Sequence, residues 1–109
     1  MKRAYVMANR MQPFIDRLAK GETIVIKGCG NSMNPRFKHG EKIIISPVNR
    51  PIEVGDAVKV KVKGTIYEAH LVKAKKGEQY LISNIKGREN GWVKIDAIYG
   101  IAIGKEKKK

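Results

Sequence analysis

The chain has 109 residues and a formal net charge of +13, from 23 Lys and Arg residues against 10 Asp and Glu residues. This length suits one domain with a single core, and an apolar fraction of 42% is too high for a chain that is disordered by composition. The single cysteine excludes an internal disulfide, and one Cys with two His offers too few ligands for a structural zinc site. We therefore expect no metal and no cofactor.

The chain contains no apolar stretch near the roughly 20 residues that a membrane helix needs. The basic N-terminus does not have the form of a secretory signal, because Arg10, Asp16 and Arg17 interrupt it. We expect a soluble, cytoplasmic protein with no membrane partner; the small size and the missing anchor would fit a phage or mobile-element product. The positive charge favours an anionic partner such as nucleic acid, although a lysine-rich surface can also serve solubility alone.

The first predicted element is a helix over residues 3–19, because apolar residues recur there at steps of three and four. Pro13 argues against one unbroken helix and could instead open a shorter one. Packing on a sheet and docking to a partner are both open roles for the apolar stripe, which consists of Val6, Met7, Met11, Phe14, Ile15 and Leu18.

From residue 22 onward, short β-rich runs are separated by glycine-containing turns. They predict strands over residues 23–27, 42–46, 58–63, 66–72, 80–83 and 98–103, with a loop at 87–91. The run from Val58 to Lys63 alternates, which predicts one valine face and one lysine face. This pattern favours an all-β barrel or sandwich. The predicted organisation is an N-terminal helical segment (1–21), a β domain (22–104) and a basic tail (105–109).

The segment from Gly30 to Pro35 reads G-N-S-M-N-P and places Ser32 on a tight turn. A serine on such a turn can project its hydroxyl into a groove while neighbouring N–H groups point the same way, as nucleophilic catalysis requires. Turns of the form Ser-x-x-Pro are common, so the residues alone favour a plain turn.

Five boxes resemble, in chain order, the signal-peptidase/LexA clan of serine peptidases: G-N-S-M-N-P-R-F-K-H-G-E, I-E-V-G-D-A-V, E-A-H-L-V, I-K-G-R-E-N-G and I-Y-G-I-A-I-G. Together they span about residues 22–104, which leaves the N-terminal helix outside. The resemblance implies a mostly β fold, a small barrel or sandwich of short strands of the signal-peptidase/LexA C-terminal-domain type.

By the same resemblance, Ser32 stands at the nucleophile position and His70 at the base position, as in the histidine branch of archaeal and endoplasmic-reticulum signal peptidases. Neutral imidazole has an unperturbed pKa of about 6.5 and can accept the serine proton at cytoplasmic pH. Amides near Asn31 and Ser32 would hold the oxyanion. Met33 would line the substrate groove, with a core-filling role as the alternative, and His70 could instead be an ordinary half-buried strand residue.

The chain departs from the family pattern beside the base. Where the histidine branch has an aspartate, this chain has Arg88, which would disfavour a nearby imidazolium. Glu89 is the candidate orienting acid, although a shift of one residue turns a side chain the other way. His39 and Lys73 are weaker candidates for the base, since His39 lies in a predicted surface turn and Lys73 on the strand face opposite His70.

Two functions follow from these observations. The first is a small soluble serine peptidase that cleaves or binds an extended peptide, added as a strand at a sheet edge. The second is an inactive member of the fold that binds nucleic acid or protein through its basic surface, mainly by phosphate contacts. Aromatic residues are too few and scattered to predict base stacking. The alternative to nucleic-acid binding is that these lysines are solvated and protect a sheet edge from aggregation. The oligomeric state is open, and a homodimer is possible. The lysines concerned are Lys59, Lys61, Lys63, Lys73, Lys75 and Lys76.

Overall fold

The computed structural model of the protein describes residues 12–27, 33, 36–38 and 40–106. Within these ranges a helix covers residues 12–19, and the strands that follow confirm the mostly β fold predicted from the sequence. A short 3-10 turn at Ile95–Ala97 precedes the last strand. The strands are β1 (Ile24–Lys27), β2 (Lys42–Ser46), β3 (Ala57–Val62), β4 (Thr65–Lys76), β5 (Gln79–Ser83), β6 (Glu89–Lys94) and β7 (Ile98–Lys105).

The seven strands of the described residues form one antiparallel sheet in the order β1-β2-β7-β3-β4-β5-β6. Strands β3 to β6 follow one another along the chain as a meander. Strand β7 then returns across the sheet and pairs with β2 on one side and β3 on the other. The last strand in the chain is therefore a central strand, and it joins the β1–β2 pair to the meander.

The sheet carries an apolar cluster on each face, whereas the sequence predicted a single core. Because side chains alternate between faces along a strand, the β3 neighbours Ala57 and Val58 belong to different clusters. The first cluster combines β1 and β2 with Phe14 and Leu18 of the helix, so the described part of the helical stripe packs on the sheet. The second cluster consists mainly of the valines of β3 and the apolar residues of β4 to β7 that face them.

Strands β3 and β4 shift register opposite Lys59. Val58 pairs with His70, whereas Val60 pairs with Tyr67, so two steps along β3 match three along β4. The extra residue on β4 is a β-bulge. Lys59 lies at this bulge, is completely buried, and forms an ion pair with Glu68.

The sequence predicted that the lysines of β3 share a solvent-exposed face. This prediction is wrong for Lys59, which is buried, and correct for Lys61 and Lys63 at the end of the strand. Both faces of a central strand are covered by apolar clusters, so Lys59 has no route to solvent and is paired instead. Lys61 and Lys63 lie beyond this cover and are exposed. Alternation in the sequence therefore identified the strand but not the environment of its first lysine.

The loop predicted at residues 87–91 is partly wrong. Asn84 organises a turn by accepting the backbone N–H groups of Lys86 and Arg88, but β6 then begins at Glu89 and pairs with β5. Within β6 only Val93 is buried, so the segment lacks a period-two apolar signal. Gly91 adopts φ 146°, a conformation that favours glycine.

We expect Gly100 of β7 to tolerate no added methyl group. A Cβ at this position would lie 2.6 Å from Cγ2 of Ile45 and 2.7 Å from the carbonyl oxygen of Ser46. Gly100→Ala should therefore lower the free energy of unfolding by about 1–3 kcal/mol, the usual cost of overpacking. Gly104 lies on the same strand with nothing within 4 Å of its Cβ position, so Gly104→Ala is the matched control. Urea denaturation of both variants measures the difference, and equal losses would contradict the argument from close approach.

The buried Lys59–Glu68 ion pair leads to a second prediction about stability. Glu68→Gln leaves the Lys59 ammonium buried without a countercharge, which typically costs ~3–5 kcal/mol. We expect a loss toward the lower end of that range, because the Glu68 side chain is 24% exposed. Replacing both partners with apolar residues should recover much of the loss. Glu78→Gln, at an exposed turn, serves as the control; the prediction fails if Glu68→Gln unfolds at the same urea concentration as that control.

Candidate active site

His70 lies near the middle of β4, directly after the bulge, and its side chain is 6% exposed. In a regular strand, residues 67 and 70 would point to opposite faces of the sheet. The extra residue at the bulge brings Tyr67 and His70 onto one face, where their rings stack with centroids 4.2 Å apart and planes inclined by 26°. The bulge is therefore the feature that makes these two rings neighbours.

Asn90, the second residue of β6, completes the Tyr67–His70–Asn90 cluster. Its Oδ1 lies 2.9 Å from Nδ1 of His70, and its Nδ2 donates to the hydroxyl oxygen of Tyr67 over 3.4 Å. Strand β5 separates β4 from β6 in the sheet, so Asn90 reaches His70 because the sheet curls. The curl is visible at Gly91, where a Cβ would lie 3.3 Å from Cγ1 of Val62 on β3.

The orientation of the Asn90 amide assigns a role to each imidazole nitrogen. With the amide in this orientation, its oxygen accepts a hydrogen bond from the Nδ1–H group of His70, since an amide oxygen can only accept. Nε2 then has the lone pair and is the accepting nitrogen. This tautomer is the one that a general base acting through Nε2 requires.

Burial sets the protonation state of His70. Loss of hydration disfavours the imidazolium and lowers the pKa of His70 below its ordinary value of 6.5. The hydrogen bond to Asn90 acts in the opposite direction and raises the pKa, but it is the smaller effect. The imidazole is therefore neutral near neutral pH, which is the state in which it can accept a proton.

The structure describes one of the three residues predicted at the nucleophile turn. Asn31 and Ser32 lie outside the described residues, as does the competing histidine, His39. Met33 is described; it is 4% exposed and packs in the first apolar cluster beside Phe37. In that position its side chain contributes to the core.

Glu89, the predicted orienting acid, lies at the surface in an ion pair with Lys73, with 2.8 Å between Oε2 and Nζ. The side chain at Nδ1 of His70 is the next residue, Asn90. Lys73 also donates to the carbonyl oxygen of Gly87 over 3.4 Å, so it is an exposed, paired cation without the burial that a lysine base needs. The side chain of Arg88 is exposed.

Two members of the cluster, Tyr67 and Asn90, were not singled out from the sequence. Asn90 had a usable signal, because it stands in the I-K-G-R-E-N-G box two residues after Arg88. Tyr67 had none, because its proximity to His70 depends on a bulge that no residue pattern indicates.

The lysines considered for an anionic partner fall into two groups. Lys59 is buried against Glu68 and cannot meet a phosphate at the surface. Lys75 lies 3.5 Å from Glu53 and 5.9 Å from the ring centroid of Tyr80, with its side chain still partly exposed. The exposed group consists of Lys61, Lys63, Lys73, Lys75 and Lys76.

Within the part of the chain that the structure describes, no three His, Cys, Asp or Glu side chains come together as metal ligands. The described helix is also too short to cross a membrane.

The comparison with known families agrees with this fold and with the boxes seen in the sequence. A family model described as Peptidase S24-like matches residues 3–95, a range that includes β1 to β6 and the whole Tyr67–His70–Asn90 cluster. No curated protein sequence matches the chain. Since the matched range covers most of its length, the chain belongs to the Peptidase S24-like family, serine peptidases of the LexA and signal-peptidase type.

Proposed function

We propose that the protein acts on an extended peptide or protein segment, with Ser32 as the nucleophile and His70 as its general base. The observation that supports this most directly is the state of His70: it is buried, neutral, and bonded through Nδ1 to Asn90 so that Nε2 is the acceptor. Membership of a peptidase family supports a peptide substrate.

The proposed reaction uses the chemistry of a serine–histidine pair. Nε2 of His70 takes the proton of Ser32 Oγ as that oxygen attacks the scissile carbonyl carbon. Backbone N–H groups at Asn31 and Ser32 stabilise the oxyanion. The imidazolium then donates its proton to the leaving amine, and water hydrolyses the acyl intermediate with the same base.

In this proposal Asn90 and Tyr67 are positioning residues. Asn90 fixes the tautomer of His70, and the stacked Tyr67 ring limits rotation of the imidazole. An amide adds no negative charge, so it stabilises the imidazolium less than a carboxylate would. We therefore expect a slower enzyme than one with an acid at this position. Glu89 would form a surface ion pair with Lys73 and would not contact the imidazole.

A fluorophosphonate probe, which reacts with activated serines, tests the assignment of the nucleophile. We expect it to label the wild type at Ser32 and to leave Ser32→Ala unlabelled. His70→Ala should slow the labelling by about 10²–10⁴-fold, the usual contribution of a general base. Intact-mass and peptide-mapping measurements locate the adduct. An adduct on the buried Ser46 or Ser83, or a folded wild type that stays unlabelled, would contradict the proposal.

The pH dependence of labelling tests the role of His70 and its partner. Protonated imidazole cannot accept a proton, so the rate should fall as pH falls through the pKa of His70. Because burial lowers that pKa below 6.5, the rate should already be on its plateau near neutral pH. Asn90→Ala removes a bond that raises the pKa, so its inflection should move to lower pH, with a plateau rate up to about 100-fold lower.

Asn90→Asp should move the same inflection in the opposite direction, because a carboxylate beside the ring favours the imidazolium. Glu89→Gln is the matched control, since it removes a neighbouring charge that pairs with Lys73. We expect that variant to keep the wild-type profile. If the inflection shifts in Glu89→Gln and does not shift in the Asn90 variants, Glu89 is the residue that orients His70.

A further inference from the structure

A groove of about 600 Å³ lies at the end of the β4–β5 hairpin, against edge strand β6. Measured along β4, Lys76 is about 20 Å from His70, at about 3.3 Å per residue. The groove is therefore separate from the Tyr67–His70–Asn90 cluster. Its lining residues are Lys76, Gly77, Glu78, Gln79, Trp92 and Lys94.

Trp92 is the only tryptophan of the chain and its side chain is 44% exposed. Indole rings bury large areas where they serve as core residues. Here the neighbour across the strands, Leu81, is buried, while the indole remains in the groove. An exposed ring of this size offers a flat apolar face to a ligand.

Two lysines flank the indole in a defined register. Gln79 pairs with Lys76 on one side and with Lys94 on the other. Since neighbouring strands are about 4.8 Å apart, the two lysine backbones lie about 10 Å apart across the sheet. Trp92 precedes Lys94 by two residues and so shares its face.

The charge of the groove is positive. Two other lysines of β4, Lys73 and Lys75, form salt bridges, whereas neither Lys76 nor Lys94 takes part in one within the described residues. Both are exposed, and Glu78 at the hairpin turn is the acidic residue of the lining. A ligand that enters the groove therefore meets two cations beside one aromatic face.

We propose that this groove binds single-stranded nucleic acid, with one base stacked on Trp92 and neighbouring phosphates paired with Lys76 and Lys94. Single-strand sites combine cations along the backbone with aromatic rings for the bases. A duplex keeps its base faces stacked and cannot offer one to an indole. The net charge of +13 adds a long-range attraction for a polyanion. Although the chain has too few aromatics for a stacking platform, one exposed indole suffices for one base.

A second groove provides a matched control within the same molecule. It also combines two lysines with one acid, but its aromatic residue is the partly buried Tyr99 instead of an exposed tryptophan. Removing its lysines changes the net charge by the same amount as removing those beside Trp92. Its lining residues are Lys61, Lys63, Gly64, Asp96, Ala97 and Tyr99.

The fluorescence of Trp92 reports directly on binding, because no other tryptophan contributes to the emission. We expect a short oligothymidine at low salt to quench it, and added salt to reverse the quenching. The double variant K76A/K94A should weaken binding at least about 10-fold and reduce the slope of log affinity against log salt by about 1.4, at about 0.7 per phosphate contact on a single strand. The double variant K61A/K63A should weaken binding clearly less than K76A/K94A, because Lys61 and Lys63 line the second groove and contribute only long-range attraction.

Stacking is tested with a dye-labelled oligothymidine, whose anisotropy does not depend on the tryptophan. Trp92→Ala should weaken binding by roughly 5-fold to 150-fold, the range for loss of one stacked base. Trp92→Phe should recover most of the affinity. The exposure of Trp92 means that both variants are expected to fold, and thermal unfolding checks this.

Three results would overturn the proposal. The first is no quenching at low salt. The second is an equal loss of affinity in K76A/K94A and K61A/K63A, which would show diffuse attraction without a site. The third is equal quenching by a polyglutamate peptide or by a DNA duplex, which would show that binding depends on negative charge and not on an exposed base.

Discussion

The extra residue that β4 carries opposite Lys59 decides whether the candidate site of this protein can form. Without it, Tyr67 and His70 would point to opposite faces, and Asn90 would meet only one of them. The Lys59–Glu68 pair occupies the same point of the sheet. A buried pair of this kind adds little net stability, but any register that separates the two charges is heavily penalised. The pair thus favours the one register in which the cluster forms.

The sequence was sufficient for the architecture because the relevant signals are local. Lys42–Ser46 was predicted with its observed bounds, and the strands around it differ only at their ends. The resemblance of the boxes identified the family. Strand β6 was missed because its stability comes from pairing with β5 while most of its own side chains remain outside the core. Burial of Lys59 was missed because it depends on what covers each face of a strand, which alternation does not encode.

The candidate site could be predicted only in part. His70 was identified through its position in a box, and its burial and tautomer emerge only in three dimensions. Glu89 was predicted as its orienting acid because the family pattern favours an acid there, whereas the side chain bonded to Nδ1 is that of the next residue, Asn90. The amide at this position bonds to Nδ1 of the ring, while burial lowers the pKa of His70. The groove around Trp92 needed the register of three strands to bring Lys76 and Lys94 beside one indole.

The position of β7 has a consequence for biosynthesis. Strands β2 and β3 do not pair with each other in this sheet; each pairs with β7, which is made after both. Until residues 98–105 leave the ribosome, the nascent chain can form only two partial sheets, each with an unsatisfied edge. Completion of the sheet therefore waits for β7, and it requires contacts between segments far apart in the chain, which form slowly. During that interval the open edges of β2 and β3 present unpaired backbone groups, which is the arrangement that pairs with another chain.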